Sequence, residues 1–162
     1  MSSPNRITRL ILSTSAALLL FAASTLAAVT ISVQANFSRT VGALDLSAGP
    51  GSDLTGSQES DPDLGAISIE GTTGGWRVDV KRTDASWDTD LELAIRRTSN
   101  GSGSGTISGG TSYLEVGAFD STLFSGEADR ADIDVQVRLS GLSAALGASS
   151  FSTTVTYTVV DQ

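Results

Sequence analysis

Asp132-Ile133-Asp134-Val135-Gln136-Val137-Arg138-Leu139 alternates polar and apolar residues without a break. A period of two puts Ile133, Val135, Val137 and Leu139 on one face of an extended strand. That face, if buried, is worth roughly 6–12 kcal/mol before conformational entropy is subtracted. The same period recurs along the chain. Val29, Ile31, Val33, Ala35 and Phe37 show it, as do Ile67 and Ile69. So do Trp76, Val78 and Val80, then Leu91, Leu93 and Ile95, then Leu114 and Val116. From Phe151 to Val160 nearly every residue is β-branched or aromatic, with Val155, Tyr157 and Val159 on one side and Thr154, Thr156 and Thr158 on the other. Turn formers separate these runs: Gly74-Gly75, Asn100-Gly101, Gly109-Gly110, Gly126, Gly141 and Gly147. No stretch carries a helical stripe, and Leu142 to Leu146 has room for one short turn of helix. The pattern predicts an all-β chain, an antiparallel β-sandwich of seven to nine strands, immunoglobulin-like or jelly-roll. It leaves the strand order open.

The first 28 residues read differently. Arg6 and Arg9 precede an apolar core from Leu10 to Ala23, and Thr25, Ala27 and Ala28 are small. This is the pattern of a cleavable signal peptide, cut after Ala27 or Ala28. Ser13, Thr14 and Ser15 interrupt an apolar run already shorter than the ~20 residues of a spanning helix. With no cysteine in the chain, there is no site for a lipoprotein anchor. The expectation is a secreted protein, extracellular or at the cell surface, without membrane insertion once the leader is removed. Cleavage after Ala28 leaves 134 residues, enough for one domain. All 18 acidic residues stay and two of the 10 basic ones, Arg6 and Arg9, leave, so the net charge moves from −8 to −10. Such a surface repels nucleic acid phosphates and favours solubility.

Composition divides the remainder into residues 29–46, an N-terminal strand; 47–63, a flexible acidic loop or linker; and 64–162, the sandwich body. The 47–63 segment holds Gly49, Pro50, Gly51 and Gly56, then Glu59, Asp61 and Asp63 around Pro62. A structureless stretch of that length is a functional loop or a tether. Ser99 to Gly105, Ser-Asn-Gly-Ser-Gly-Ser-Gly, reads as a flexible hairpin tip.

Chemistry is sparse. The chain has no histidine and no cysteine, so it has no Ser–His or Cys–His pair and no imidazole or thiolate metal site. No Gly-x-Ser-x-Gly or Ser-x-x-Lys motif occurs. Carboxylate pairs of the glycosidase type could be drawn from Asp88 with Asp90 or Glu127 with Asp129, but close pairs arise by chance in so acidic a chain. The expectation is that the protein is not an enzyme and needs no cofactor. Glu127, Asp129, Asp132 and Asp134 are a candidate Ca²⁺ site, against the simpler reading of a charged, solvated strand face. Trp76 shares its face with Val78 and Val80 and reads as core. Trp87, in Asp84-Ala85-Ser86-Trp87-Asp88, is the candidate glycan platform, against the simpler reading of a ring covering one end of the sandwich. Asn36-Phe37-Ser38 and Asn100-Gly101-Ser102 are glycosylation sequons.

Ser150-Phe151-Ser152-Thr153-Thr154-Val155-Thr156-Tyr157-Thr158-Val159 resembles the closing strand of secreted fimbrial and spore-coat-like subunits with an immunoglobulin fold. Gly126 to Leu142, a hairpin entry, an alternating strand and Ser-Gly-Leu, is also similar. The resemblance covers the last third of the chain, and the disulfide common in such subunits is absent. It implies a surface polymer built by strand donation, with self-association or contact with other cell-surface proteins. On that reading Val29, Ile31, Val33 and Phe37 anchor a donor arm. The alternative at this stage is that residues 29–37 are the domain's own edge strand. The second function reading is an extracellular carbohydrate- or calcium-binding module.

Overall fold

The computed structural model describes residues 29–147 and 149–162. The signal-peptide reading of residues 1–28 lies outside them. The described chain is almost entirely β, and every strand pair is antiparallel. The strands are β1 (Thr30–Ala35), β2 (Ser57–Glu59), β3 (Gly65–Glu70), β4 (Gly75–Ser86), β5 (Glu92–Arg97), β6 (Ser102–Gly103), β7 (Ile107–Ser108), β8 (Leu114–Glu115), β9 (Ser121–Glu127), β10 (Arg130–Ser140) and β11 (Ser152–Asp161). Eleven strands exceed the seven to nine expected because β6, β7 and β8 are two-residue pairings, too short to show a period. Two 3₁₀ turns, Ala43–Asp45 and Ala144–Leu146, are the only helical turns among the described residues.

One sheet runs β1-β3-β10-β5-β8, and the other β11-β4-β9-β7. The strand whose alternation is cleanest, β10, is the centre of the first sheet. One flank pairs with β3 and then β2, the other with β6 and then β5. Ile133, Val135 and Val137 point inward and are buried. They meet Ile67 and Ile69 of β3, Ile95 of β5, and Trp76, Val78, Val80 and Phe124 of the second sheet. Most of the sandwich-like core thus consists of residues that the period of two selects, but Leu123 and Phe124 of β9, adjacent in sequence and both buried, are not among them. Trp76 is fully buried and packs edge-on against Phe124, ring centroids 6.1 Å apart.

The 47–63 segment is not a free tether. Leu46 and Leu54 form a β-bridge, β2 pairs with the end of β10, and Ser60 exchanges hydrogen bonds with β10. The Gln136 side chain also donates to the Ser60 carbonyl at 2.8 Å. The Asp53 carboxylate accepts from the Ala144 amide at 2.7 Å and the Ser143 hydroxyl at 3.2 Å. The backbone amides of Ala144 and Leu54 hold the Asp53 carboxyl below its ordinary pKa. Polar side chains read as loop composition therefore serve as turn and cap partners.

The Ser99–Gly105 segment also departs from the expected flexible tip. The Arg130 guanidinium donates to the carbonyls of Asn100 and Gly105. The segment lies so close to β10 and to the end of β9 that a Cβ at Gly101, Gly103 or Gly105 would collide with the backbone of Ala131, Asp129 or Glu127. These glycines permit close approach of two backbones, a use that composition does not distinguish from flexibility.

Candidate functional site

The core leaves open an apolar cleft of about 1470 Å³ between the two sheets. Its walls are the outer strands β1 and β11. Ile31, Val33 and Phe37 line one side; Val155, Tyr157 and Phe151 line the other; Leu93, Ile95 and Val137 form the floor. Leu46, Leu54, Leu142 and Leu146, from the 3₁₀ turns and neighbouring loops, rim the opening. The floor residues are buried, whereas the inward residues of β1 and β11 are only half-buried. Here β1 and β11 approach each other, but their inward residues are not fully buried.

Each wall is the free edge of its sheet. On its inner side β1 pairs with β3, Val33 opposite Ile67 and Ile31 opposite Ile69. The candidate donor residues Ile31 and Val33 thus lie, in this single chain, on the chain's own β3, and Val29 and Phe37 pack against the core beside them. On its inner side β11 pairs with β4 along its whole length, and nothing pairs with its outer side among the described residues. The cleft raises the Tyr157 hydroxyl pKa to about 12, because burial disfavours the phenolate. Tyr113 is also raised, through burial and the nearby Glu59 carboxylate, against the lowering effect of Arg96 and Arg138. A spectrophotometric titration should therefore show less tyrosinate at pH 10, the ordinary midpoint, than two free tyrosines give. The unfolded chain ionises first, so both groups withdraw stability as the pH rises above 10, and Tyr157 does so up to about 12. Two ordinary tyrosine midpoints near pH 10 would contradict the burial described.

The remaining candidate residues are placed as follows. Trp87 is half-buried at the cleft. Its indole N–H donates to the Leu91 carbonyl at 2.9 Å, and the Arg82 guanidinium lies 5.2 Å from its ring centroid. Much of the ring is thereby already engaged by the protein. Glu127, Asp129, Asp132 and Asp134 are not brought together. Glu127 accepts from Thr106, Asp129 accepts from the Thr72 amide at 2.8 Å, and the Asp132 amide donates to Ser68. A register shift between Arg130 and Ile133, with Asp132 at φ 56°, turns the segment between them out of the regular ladder. Among the described residues no three carboxylates are grouped to hold a metal ion. Arg130 and Arg138, close to these acids in sequence, serve elsewhere: Arg130 on loop carbonyls, Arg138 on the Tyr113 ring at 4.2 Å. Of the carboxylate pairs, the Asp88 side chain accepts from the Asp90 amide, closing a turn.

No family model matches the chain, and neither a curated protein nor a solved structure matches it. The case for function therefore rests on the cleft and the two edges beside it. The alternation that forms β1 was legible in the sequence, but the opposite wall was not. The Val155, Tyr157 and Val159 alternation was legible, but not that its outer edge stays unpaired, because that depends on strand order.

Proposed function

We propose that this chain is a secreted, non-enzymatic structural or adhesive protein of the cell surface, a filament subunit whose copies are joined by strand addition at β1. One observation carries the reading. The two long free edges of the molecule flank one apolar cleft, whose lining residues Ile31, Val33, Val155 and Tyr157 are only half-buried. Unpaired edges of this kind recruit strands from other chains unless they are blocked. The other two edges are blunted, since β8 and β7 are two residues each.

Electron microscopy of the mature chain should show filaments. Replacing Ile31 and Val33 by aspartate would place charges in the cleft, at a cost of several kcal/mol, and filaments should disappear. Because those residues also pack on β3, a second variant preserves the core: Ser32→Lys with Gln34→Lys, on the exposed face of β1. Lysine on an edge opposes further pairing. This variant should fold, by far-UV circular dichroism, yet form no filaments. Unchanged filaments from the folded lysine variant would remove β1 from the assembly.

A further inference from the structure

The arrangement of the two long edges points to a definite occupant for the cleft. β1 has six residues and β11 ten. Neither contains proline or lysine, and the only charge on either is Asp161 at the end of β11. Charge is absent more widely around them. Residues 29–38 and 139–160 contain no charged side chain, so all 18 acidic residues fall outside these two segments. Copies of an acidic chain repel one another over most of their surface. They do not do so here.

The edges also have matching directions. Thr30, which begins β1, pairs with Glu70, and Asp161, which ends β11, pairs with Trp76. Glu70 and Trp76 flank the turn between β3 and β4, so both lie at one end of the molecule. The two edges therefore run in opposite directions, and they touch across the cleft. Rotation about a two-fold axis parallel to the strands leaves each strand's direction unchanged. It brings β1 of one copy against β11 of another, antiparallel, and at the same time β11 of the first against β1 of the second.

We infer that a second copy of this chain covers the cleft, with each β1 adding to the partner's β11 about such a two-fold axis. The first sheet of each copy then continues into the second sheet of the other, and the two clefts merge into one shared interior. Val33 and Tyr157 face that interior from adjoining strands. β1 stays paired with its own β3 throughout, so no strand has to leave its place. An interface of this kind is closed and self-complementary. The inference rests on the chain being self-associating; the pair uses both long edges of each copy, so filaments would join pairs through other surfaces.

The absence of cysteine gives a clean test. Single variants Ser32→Cys and Thr156→Cys, on the exposed faces of β1 and β11, are prepared with an affinity tag on one of them, mixed and oxidised. Thr154→Cys and Thr158→Cys scan the neighbouring registers, since a disulfide needs Cα atoms ~4.4–6.8 Å apart. The expected products are a species of twice the monomer mass by light scattering and a mixed disulfide between position 32 and one of the three β11 positions. Disulfides joining 32 to 32 would mean that like edges pair, and would overturn the crossed arrangement. A mixed disulfide between Ser32→Cys and Ser68→Cys would mean that β1 has moved to the neighbour's β3, and would overturn it in favour of donation. A monomer at every concentration overturns it outright. Filaments that lack the 32–β11 link refute the pair but not the filament reading; a linked pair that forms no filaments does the reverse.

Discussion

Replacing Trp76 with alanine should lower the free energy of unfolding by about 3–5 kcal/mol. For a chain of this length that corresponds to a fall in melting temperature of roughly 10–20 °C. The indole is fully buried at the start of β4, edge-on to Phe124. Its N–H donates to the Ala128 carbonyl at 2.8 Å. That carbonyl belongs to the tight turn between β9 and β10, where Ala128 itself has φ 55°. Truncation would open a cavity and take the side-chain donor from the turn that positions β10. The site has little freedom to collapse, because Gly126 brings the β9 backbone directly beneath the ring and a Cβ there would strike Cζ2 and Cη2. Trp76→Phe should recover part of the packing but not the hydrogen bond, leaving a deficit of about 1–3 kcal/mol. Thermal and urea melts of the three proteins would measure both differences. A loss below 1 kcal/mol for alanine would mean that the core is not organised around this residue.

Much of the inside of the molecule was legible in the sequence, though not Leu123 and Phe124 of β9, and of its two long edges only β1 was. Trp76, Val78, Val80, Ile133, Val135 and Val137 follow a local rule, alternation at a period of two, and all are buried. Which strands end a sheet is a global property. Nothing local in Thr154-Val155-Thr156-Tyr157 distinguishes an edge from a central strand, so the second wall of the cleft escaped notice. The polar segments failed for a related reason. Ser47 to Asp63 and Ser99 to Gly105 have the composition of solvated loops, but composition does not report hydrogen-bond partners 25 to 91 residues away. Asp53 reaches Ser143 and Ala144, Gln136 reaches Ser60, and Arg130 reaches Gly105. The tether envisaged for a donor arm shortens accordingly. With Leu46, Leu54 and β2 held to the body, only residues 36–42 between β1 and the first 3₁₀ turn remain without regular structure. Fully extended, seven residues span about 23–25 Å. A strand on so short a lead is better suited to adding in place than to travelling to a distant neighbour.

Arg97 carries the other large effect. It ends β5, is only 6% exposed and has no carboxylate partner. Carbonyl oxygens hold it instead. Nε and Nη2 donate to Gly109 O at 3.1 and 2.8 Å, Nη1 donates to Ser99 O at 2.9 Å, and Nη1 also donates to the Asn100 side chain. Burial, and then the charge of nearby Arg130, lowers its pKa from the ordinary value, but an arginine stays protonated. One guanidinium thus ties the two ends of the 99–110 segment to the core strand between them. Hydrogen bonds to a charged group are worth ~1.5–3 kcal/mol each, and removing the ion also relieves its burial cost. The net expectation for Arg97→Met is a loss of about 2–3 kcal/mol, with amides from 99 to 110 exchanging hydrogen faster than the rest of the core. Arg97→Lys should rescue little, because a single ammonium lacks the planar fork that spans Gly109 and Ser99. If lysine restores both stability and protection, charge alone is sufficient. If methionine leaves exchange in 99–110 unchanged, the glycine contacts with Ala131, Asp129 and Glu127 hold the segment without it. The expected pattern, methionine and lysine both opening 99–110 while β4 and β11 stay protected, would identify one buried cation as the reason a Ser-Gly repeat is held against the body.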